Sequence, residues 1–232
     1  MSVTSTTLKA VIFDLDGTLV TFNLDVTSCR KEVIQYLTKQ GISRDLFSMK
    51  ETAFDMLIKV KNHLGTNATE EQLQRIKTKV FSIVEKYELT SAKETKLFTG
   101  LPETLKALKD MNMKLAVCTI SGTKAAEYIL ERFEIGHFFD AILTRDDVVA
   151  VKPHSIHLQK VLETLDVLPQ EAVLVGDSTK DMACAEKLKV LAVGVTTGLS
   201  SHEDLTHSGA NYIASSVRDI PKLVLQLTAS ST

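Results

Sequence analysis

Hydrophobic positions along this chain follow two different rhythms. Residues 9–15, KAVIFDL, form a short β-rich run without apolar–polar alternation, the pattern of a strand covered on both faces of a parallel sheet. Runs of the same kind recur at 115–119 (LAVCT), 141–144 (AILT), 172–176 (AVLVG) and 190–195 (VLAVGV). The segments between the later runs predict helices at 101–112, 123–133, 154–165 and 179–188, with Pro102 early in the first and Gly122 just before the second. Alternation of strands and helices predicts an α/β fold built on a parallel sheet.

Between Phe22 and Lys96 the rhythm becomes helical and no β-type run appears. Leu73, Ile76, Val80, Ile83 and Tyr87, spaced by three and four, share one helix face, and Thr69 with Gln72 supplies a capping-box start. Leu46, Met49, Ala53, Met56, Leu57, Val60 and Leu64 form a second stripe; Val33, Ile34 and Leu37 anchor a third before Gly41. Mutual packing of these stripes predicts a small helical bundle inserted into the α/β pattern. The expected domains are therefore 1–21 with 97–232 as the α/β core, and 22–96 as the helical insert.

Composition narrows the functional classes. A chain of 232 residues with 44% hydrophobic and 24% charged side chains is ordinary globular material, which excludes disordered and collagen-like classes. A net charge of -2 and a pI near 6.3 provide no global field for a polyanion, so nucleic acid is not an expected partner. Cys29, Cys118 and Cys184 are an odd number, far apart and without a CxxC pair, as expected of buried thiols in a reducing compartment. No stretch reaches the roughly 18 to 20 apolar residues of a membrane helix, and the first residues show no basic region followed by a long apolar run. The expected location is the cytoplasm, with no membrane partner. Residues 22–96 carry 13 basic and 10 acidic side chains against 14 and 19 elsewhere, a mild excess more typical of a solvated surface than of a binding device.

The chemistry gathers where apolar runs end. Asp14-Leu15-Asp16-Gly17-Thr18 follows the first run, placing two carboxylates at the carboxyl end of a strand, where open α/β sheets bind ligands. Taken alone this is also an ordinary Asp-rich turn. A second acidic loop, Gly176-Asp177-Ser178-Thr179-Lys180-Asp181, follows AVLVG; two acids four apart at a turn into a helix suit a hard cation such as Mg²⁺. Between the two loops lie Thr119, ending LAVCT, and Lys152, preceding Pro153.

These four motifs, in this order, resemble the haloacid dehalogenase superfamily, in its phosphatase branch with a helical cap, over nearly the whole chain. The resemblance implies a doubly wound core with an all-helical cap inserted after the first motif. It also implies roles: Asp14 as nucleophile forming an aspartyl phosphate, Asp16 as general acid and then base, and Thr119 with the following amides, including that of Ile120, holding phosphoryl oxygens. Lys152 would neutralise Asp14 and phosphate. Asp14, the Asp16 carbonyl and Asp177 would ligate Mg²⁺, with Asp181 supporting the metal directly or through water. Dehalogenases of this fold lack the second acid, so Asp16 argues for a phosphatase. A phosphate beside four carboxylates costs about 4 kcal/mol per unit-charge pair at 4 Å and an effective dielectric of 20, and a divalent ion with Lys152 offsets it.

Three positions depart from the family pattern: Ile120 where many relatives carry Asn, Ser155 after Lys152-Pro153, and Lys187 where glycine is frequent. His154 and His157 at a helix start are read as surface or packing residues, and Arg44 after Gly41 as a turn residue; Arg145, His63, Lys59 and Lys61 are candidates for the neighbourhood of the cleft with no assigned role. The expected activity is Mg²⁺-dependent hydrolysis of a small phosphorylated metabolite, similar to phosphoglycolate phosphatases. A β-phosphoglucomutase-like phosphosugar mutase is the alternative, and a non-catalytic binding or regulatory protein the third reading. Monomer and homodimer are equally compatible with the helical stripes.

Overall fold

The structure, a computed structural model, describes residues 8–65 and 68–229. Residues 1–7, part of the N-terminal stretch read above for a leader, and residues 66–67 and 230–232 of the expected domains lie outside the described residues. The chain divides into two compact units, one running to Phe22 and resuming at Thr95, the other Asn23–Glu94.

The first unit is built on six parallel strands: β1 (Ala10–Phe13), β2 (Lys114–Cys118), β3 (Ala141–Leu143), β4 (Ala172–Gly176), β5 (Leu191–Val195) and β6 (Tyr212–Ala214). Their order is β3-β2-β1-β4-β5-β6. The chain winds outward from β1 through β2 to β3, returns to pair β4 on the other side of β1, and winds out again. The sheet is doubly wound, and its order reverses between β1 and β4, where the carboxyl ends open a crevice. Register places Phe13 beside Val117 on one side and Val175 on the other, so the loops after β1, β2 and β4 leave the sheet at nearly one level.

Burial explains why these strands lack alternation. All four residues of β1 are fully buried, and residues facing both sides of the sheet are covered. On one side Ala10, Ile12, Ala116, Cys118, Ala172 and Leu174 pack with Leu158, Val161, Met182 and Cys184, which belong to α6 (Ser155–Leu165) and α7 (Thr179–Leu188). Two further helices, α4 (Leu101–Asp110) and α5 (Thr123–Arg132), flank β2 in sequence, and α4 packs on β2. Pro102 lies in the first turn of α4, where its missing N–H costs nothing, and Gly122 caps α5.

Three elements beyond residue 195 were not anticipated: β6, a short helix α8 (His202–His207) and a closing helix α9 (Ile220–Ala229). β6 has three residues and an exposed Tyr212 at the sheet edge, too short a run to stand out by periodicity.

The second unit contains α1 (Val26–Lys39), α2 (Ala53–Leu64) and α3 (Glu70–Glu94). Its core joins Val33, Ile34 and Leu37 to Met56, Val60, Ile76, Val80 and Ile83, the central members of the three stripes. The Gln72 amide donates to the Thr69 hydroxyl at the start of α3. The second stripe needs correction: it is helical only from Ala53. Leu46 ends a 3₁₀ turn started by Ser43, whose hydroxyl accepts from Asp45, while Thr52 and Asp55 form a capping box that begins α2 afresh. Leu46 and Met49 still pack against the same core, so burial conserved the stripe across a break in the backbone.

Candidate active site

Adjacent parallel strands bring the two acidic loops together. The Asp14 amide continues the ladder, donating to the Val175 carbonyl at 2.9 Å, so Asp14 leaves β1 beside the end of β4. Asp177 and Asp181 follow on the loop and first turn of α7. One carboxylate oxygen from each of Asp14, Asp177 and Asp181 lies within 4.8 Å of the others. Among the described residues this is the one such cluster of three potential metal ligands. All three acids are buried.

Lys152, 3% exposed, bridges the cluster, donating to Asp14 Oδ1 and Asp181 Oδ1 at 2.6 Å each. Asp181 is held from the opposite side by local sequence. Ser178-x-x-Asp181 is a capping box, in which the Ser178 amide and hydroxyl donate to Asp181 Oδ2. The Asp177 carboxylate accepts from the Leu199 amide at 2.7 Å, its carbonyl accepts from the Ser200 amide, and Thr197 donates to the Gly17 carbonyl at 2.6 Å. The loop after β5 thus clamps both acidic loops. Glycine is required for that approach: a Cβ on Gly17, whose φ is +86°, or on Gly198 would overlap the Asp177 carboxylate.

Electrostatics shows what would balance the cluster. Burial raises the Asp14 carboxyl well above its ordinary value; Lys152 opposes this, and Asp181 and Asp177 add to it. Burial likewise pushes Asp177 up to about 6, reinforced by Asp181. Burial works against the charge on Lys152, yet Asp14 and Asp181 overcome it and hold the ammonium well above its usual range. Three carboxylates and one ammonium sum to -2, the charge a divalent cation balances, and oxygen donors suit a hard ion. The residues present therefore fit Mg²⁺.

Asp16 stands apart from this cluster of side chains. Its Oδ2 accepts from the Ser121 hydroxyl at 2.6 Å. Thr119, buried at the end of β2, accepts the Ser121 amide on its hydroxyl at 3.1 Å, and Ile120 beside it is partly exposed. The buried Arg145 braces this loop: its amide donates to the Ser121 carbonyl and its Nη1 to the Ile120 carbonyl. Arg145, a candidate to which the sequence assigns no role, thus braces the loop after β2, whereas the sequence singles out neither Ser121 nor the 196–200 loop. A glycine-containing loop after the strand next to β4, TTGLS, was the signal available for the last.

The lesser candidates take structural places. His154 caps α6, accepting the Ile156 amide on Nδ1. His157 is fully buried, and burial pushes it down to about 4, which keeps it neutral. Lys187 donates to the Pro153 carbonyl, tying α7 to the segment that carries Lys152. Arg44 donates to Phe47 O, and Lys59 pairs with Glu51, both within the helical unit. All three cysteines are buried and free. Among the described residues no helix is long and apolar enough to cross a membrane.

The chain is similar to several known proteins. The family model described as haloacid dehalogenase-like hydrolase matches residues 11–195. A phosphoglycolate phosphatase of Mannheimia succiniciproducens is 28% identical over 93% of this chain and 98% of its own length. Pyrophosphatase PpaX of Bacillus mycoides is 28% identical over 92% and 95%. The crystal structure of a predicted phosphatase from Clostridium acetobutylicum superposes with a TM-score of 0.67 at 27% identity, covering 95% of this chain and 99% of that one.

Proposed function

Because the chain belongs to the haloacid dehalogenase-like hydrolases, we propose that it is a Mg²⁺-dependent phosphatase acting on a small phosphorylated metabolite through an aspartyl-phosphate intermediate. The observation that carries the reading is the convergence of Asp14, Asp177 and Asp181 on one point, with Lys152 bridging Asp14 and Asp181.

Asp14, Asp177 and the Asp16 carbonyl would hold Mg²⁺, with Asp181 in support; when bound, the ion supplies positive charge to the cluster and to a phosphoryl oxygen. Lys152 occupies Asp14 Oδ1, leaving the other carboxylate oxygen to attack phosphorus. As that bond forms, the bond to the leaving oxygen breaks, and Asp16 protonates the leaving oxygen. Asp16, now ionised, takes a proton from water, whose oxygen attacks phosphorus; the bond to Asp14 breaks and phosphate departs. The Thr119 hydroxyl already accepts the Ser121 amide, so its own proton is directed to a phosphoryl oxygen, beside the Ile120 amide. The helical unit takes the part of a cap that sets substrate identity, with phosphoglycolate-like compounds as the first candidates by similarity to the named relatives.

The test is a phosphate-release screen over phosphoglycolate, sugar phosphates, nucleotides and pyrophosphate, with Mg²⁺ and with chelator. Release with Mg²⁺, lost with chelator and lowered about ten-thousand-fold in Asp14→Asn, is expected. Isomerised sugar phosphate without phosphate release identifies the mutase instead, and activity of Asp14→Asn equal to the unmodified protein removes the nucleophile.

A further inference from the structure

We infer that Ser121 is a positioning residue for proton transfer, selecting which oxygen of Asp16 delivers the proton to the leaving group. The inference rests on the phosphatase reading above and concerns a residue outside the four motifs that led to it.

The hydrogen bond from Ser121 Oγ to Asp16 Oδ2, 2.6 Å long, joins residues 105 apart in the chain. A short O–H···O⁻ bond to a carboxylate is charge-assisted and directional. With Oδ2 capped by a donor, the proton that Asp16 carries in the first step resides on Oδ1, and the rotamer of Asp16 is set from outside its own loop. A serine on a loose loop would not achieve this. Ser121 is 9% exposed, and its backbone is anchored at both ends. The amide donates to Thr119 Oγ1 at 3.1 Å, and the carbonyl accepts the Arg145 amide at 3.1 Å. Arg145, itself 4% exposed, also holds the preceding Ile120 carbonyl at 3.3 Å.

The consequence is a mechanical link between two steps of recognition. The hydroxyl that meets phosphate, on Thr119, and the carboxyl that meets the leaving oxygen, on Asp16, are both referenced to one residue. Placement within a fraction of an ångström is what a proton donor requires, and a donor free to rotate loses most of its benefit. That benefit depends on the leaving group: an alkoxide needs the proton as it departs, whereas an aryloxide with a low pKa departs without much help.

The test compares kcat/KM, which reports the step of leaving-group departure, for an aryl phosphate and an alkyl phosphate. For Ser121→Ala we expect a loss of about 10- to 100-fold with the alkyl phosphate and under about threefold with the aryl phosphate. Ser121→Thr, which keeps the hydroxyl, restores most of the alkyl rate. Ser121→Cys, near in size and a weak donor, shows the same selective loss and serves if the alanine variant does not fold. An equal loss on both substrates, no loss on the alkyl phosphate, or no rescue by threonine in a folded protein overturns the role of Ser121. These outcomes leave the phosphatase reading intact, since that reading fails separately, by the absence of phosphate release from either substrate or by full activity of Asp14→Asn.

Discussion

The two units solve opposite problems of burial. The α/β unit encloses Asp14, Arg145, Lys152, His157, Asp177 and Asp181, each less than one-tenth exposed. The core of the helical unit is Val33, Ile34, Leu37, Met56, Val60, Ile76, Val80 and Ile83. Charged groups there pair at its surface, as in Glu32 with Lys86 and Tyr87, or Glu51 with Lys59; Glu88 is its buried exception. Exposed pairs contribute about 0–1 kcal/mol, whereas an uncompensated buried charge costs several. In the α/β unit Lys152 compensates Asp14 and Asp181, and on the proposed function that buried network is the part that reacts while the helical unit packs.

The largest test of this contrast lies in the helical unit. Met56, fully buried between the stripes, should cost about 2–5 kcal/mol on replacement by alanine, through lost burial and a residual cavity. Denaturant unfolding measures it. Mg²⁺ affinity at 25 °C should be unchanged; an equal fall in affinity would break the separation of roles.

Next in size is the pH response of the acidic cluster. Asp177 titrates near 6 in the folded protein against 3.8 in its ordinary state. The folded state therefore binds more protons between these values, and stability falls as pH rises through the window, by about 3 kcal/mol. In metal-free protein the difference in unfolding free energy between unmodified protein and Asp177→Asn should shift by that amount between pH 4 and 7, and Mg²⁺ should reverse it. His157, depressed to about 4 from 6.5, works with the opposite sign, losing stability as pH falls. Comparison with the asparagine variant isolates the Asp177 contribution, and a flat difference would show that Asp177 carries no strain.

The smallest effect sharpens the picture of the site. Gly198→Ala drives a methyl into the Asp177 carboxylate. Mg²⁺ affinity should fall by about 10- to 100-fold, the usual scale for groups that orient a ligand. Calorimetric titration with affinity retained would show that the loop after β5 yields freely.

Much of this arrangement was legible because strong local signals agreed. Apolar runs without alternation located five strands within a residue or two, since strands covered on both faces admit few polar side chains. The stripes of the helical unit were equally plain, although the break at residues 47–52 was not, because burial sustains an apolar pattern through a turn. Asp14, Asp177 and Asp181 stood out in the acidic loops that follow strand ends, and Lys152 by preceding Pro153 between those loops. Ser121, Thr197 and Gly198 did not, being common residue types in loops with no spacing of their own, and Arg145 was visible only as a cation without a role.

What the sequence alone determined, then, was which segments become strands and helices and which acidic loops end them, because periodicity and capping act over a few residues. The tertiary structure decided which of those loops face one another. Pairing β1 directly with β4, 162 positions apart at the Ala10–Ala172 register, brings Asp14 to Asp177. The partners of Asp16 and Asp177, on Ser121 and Leu199, follow from two further pairings, of β1 with β2 and of β4 with β5. Distance along the chain says nothing about such neighbours; only closure of the sheet makes them adjacent.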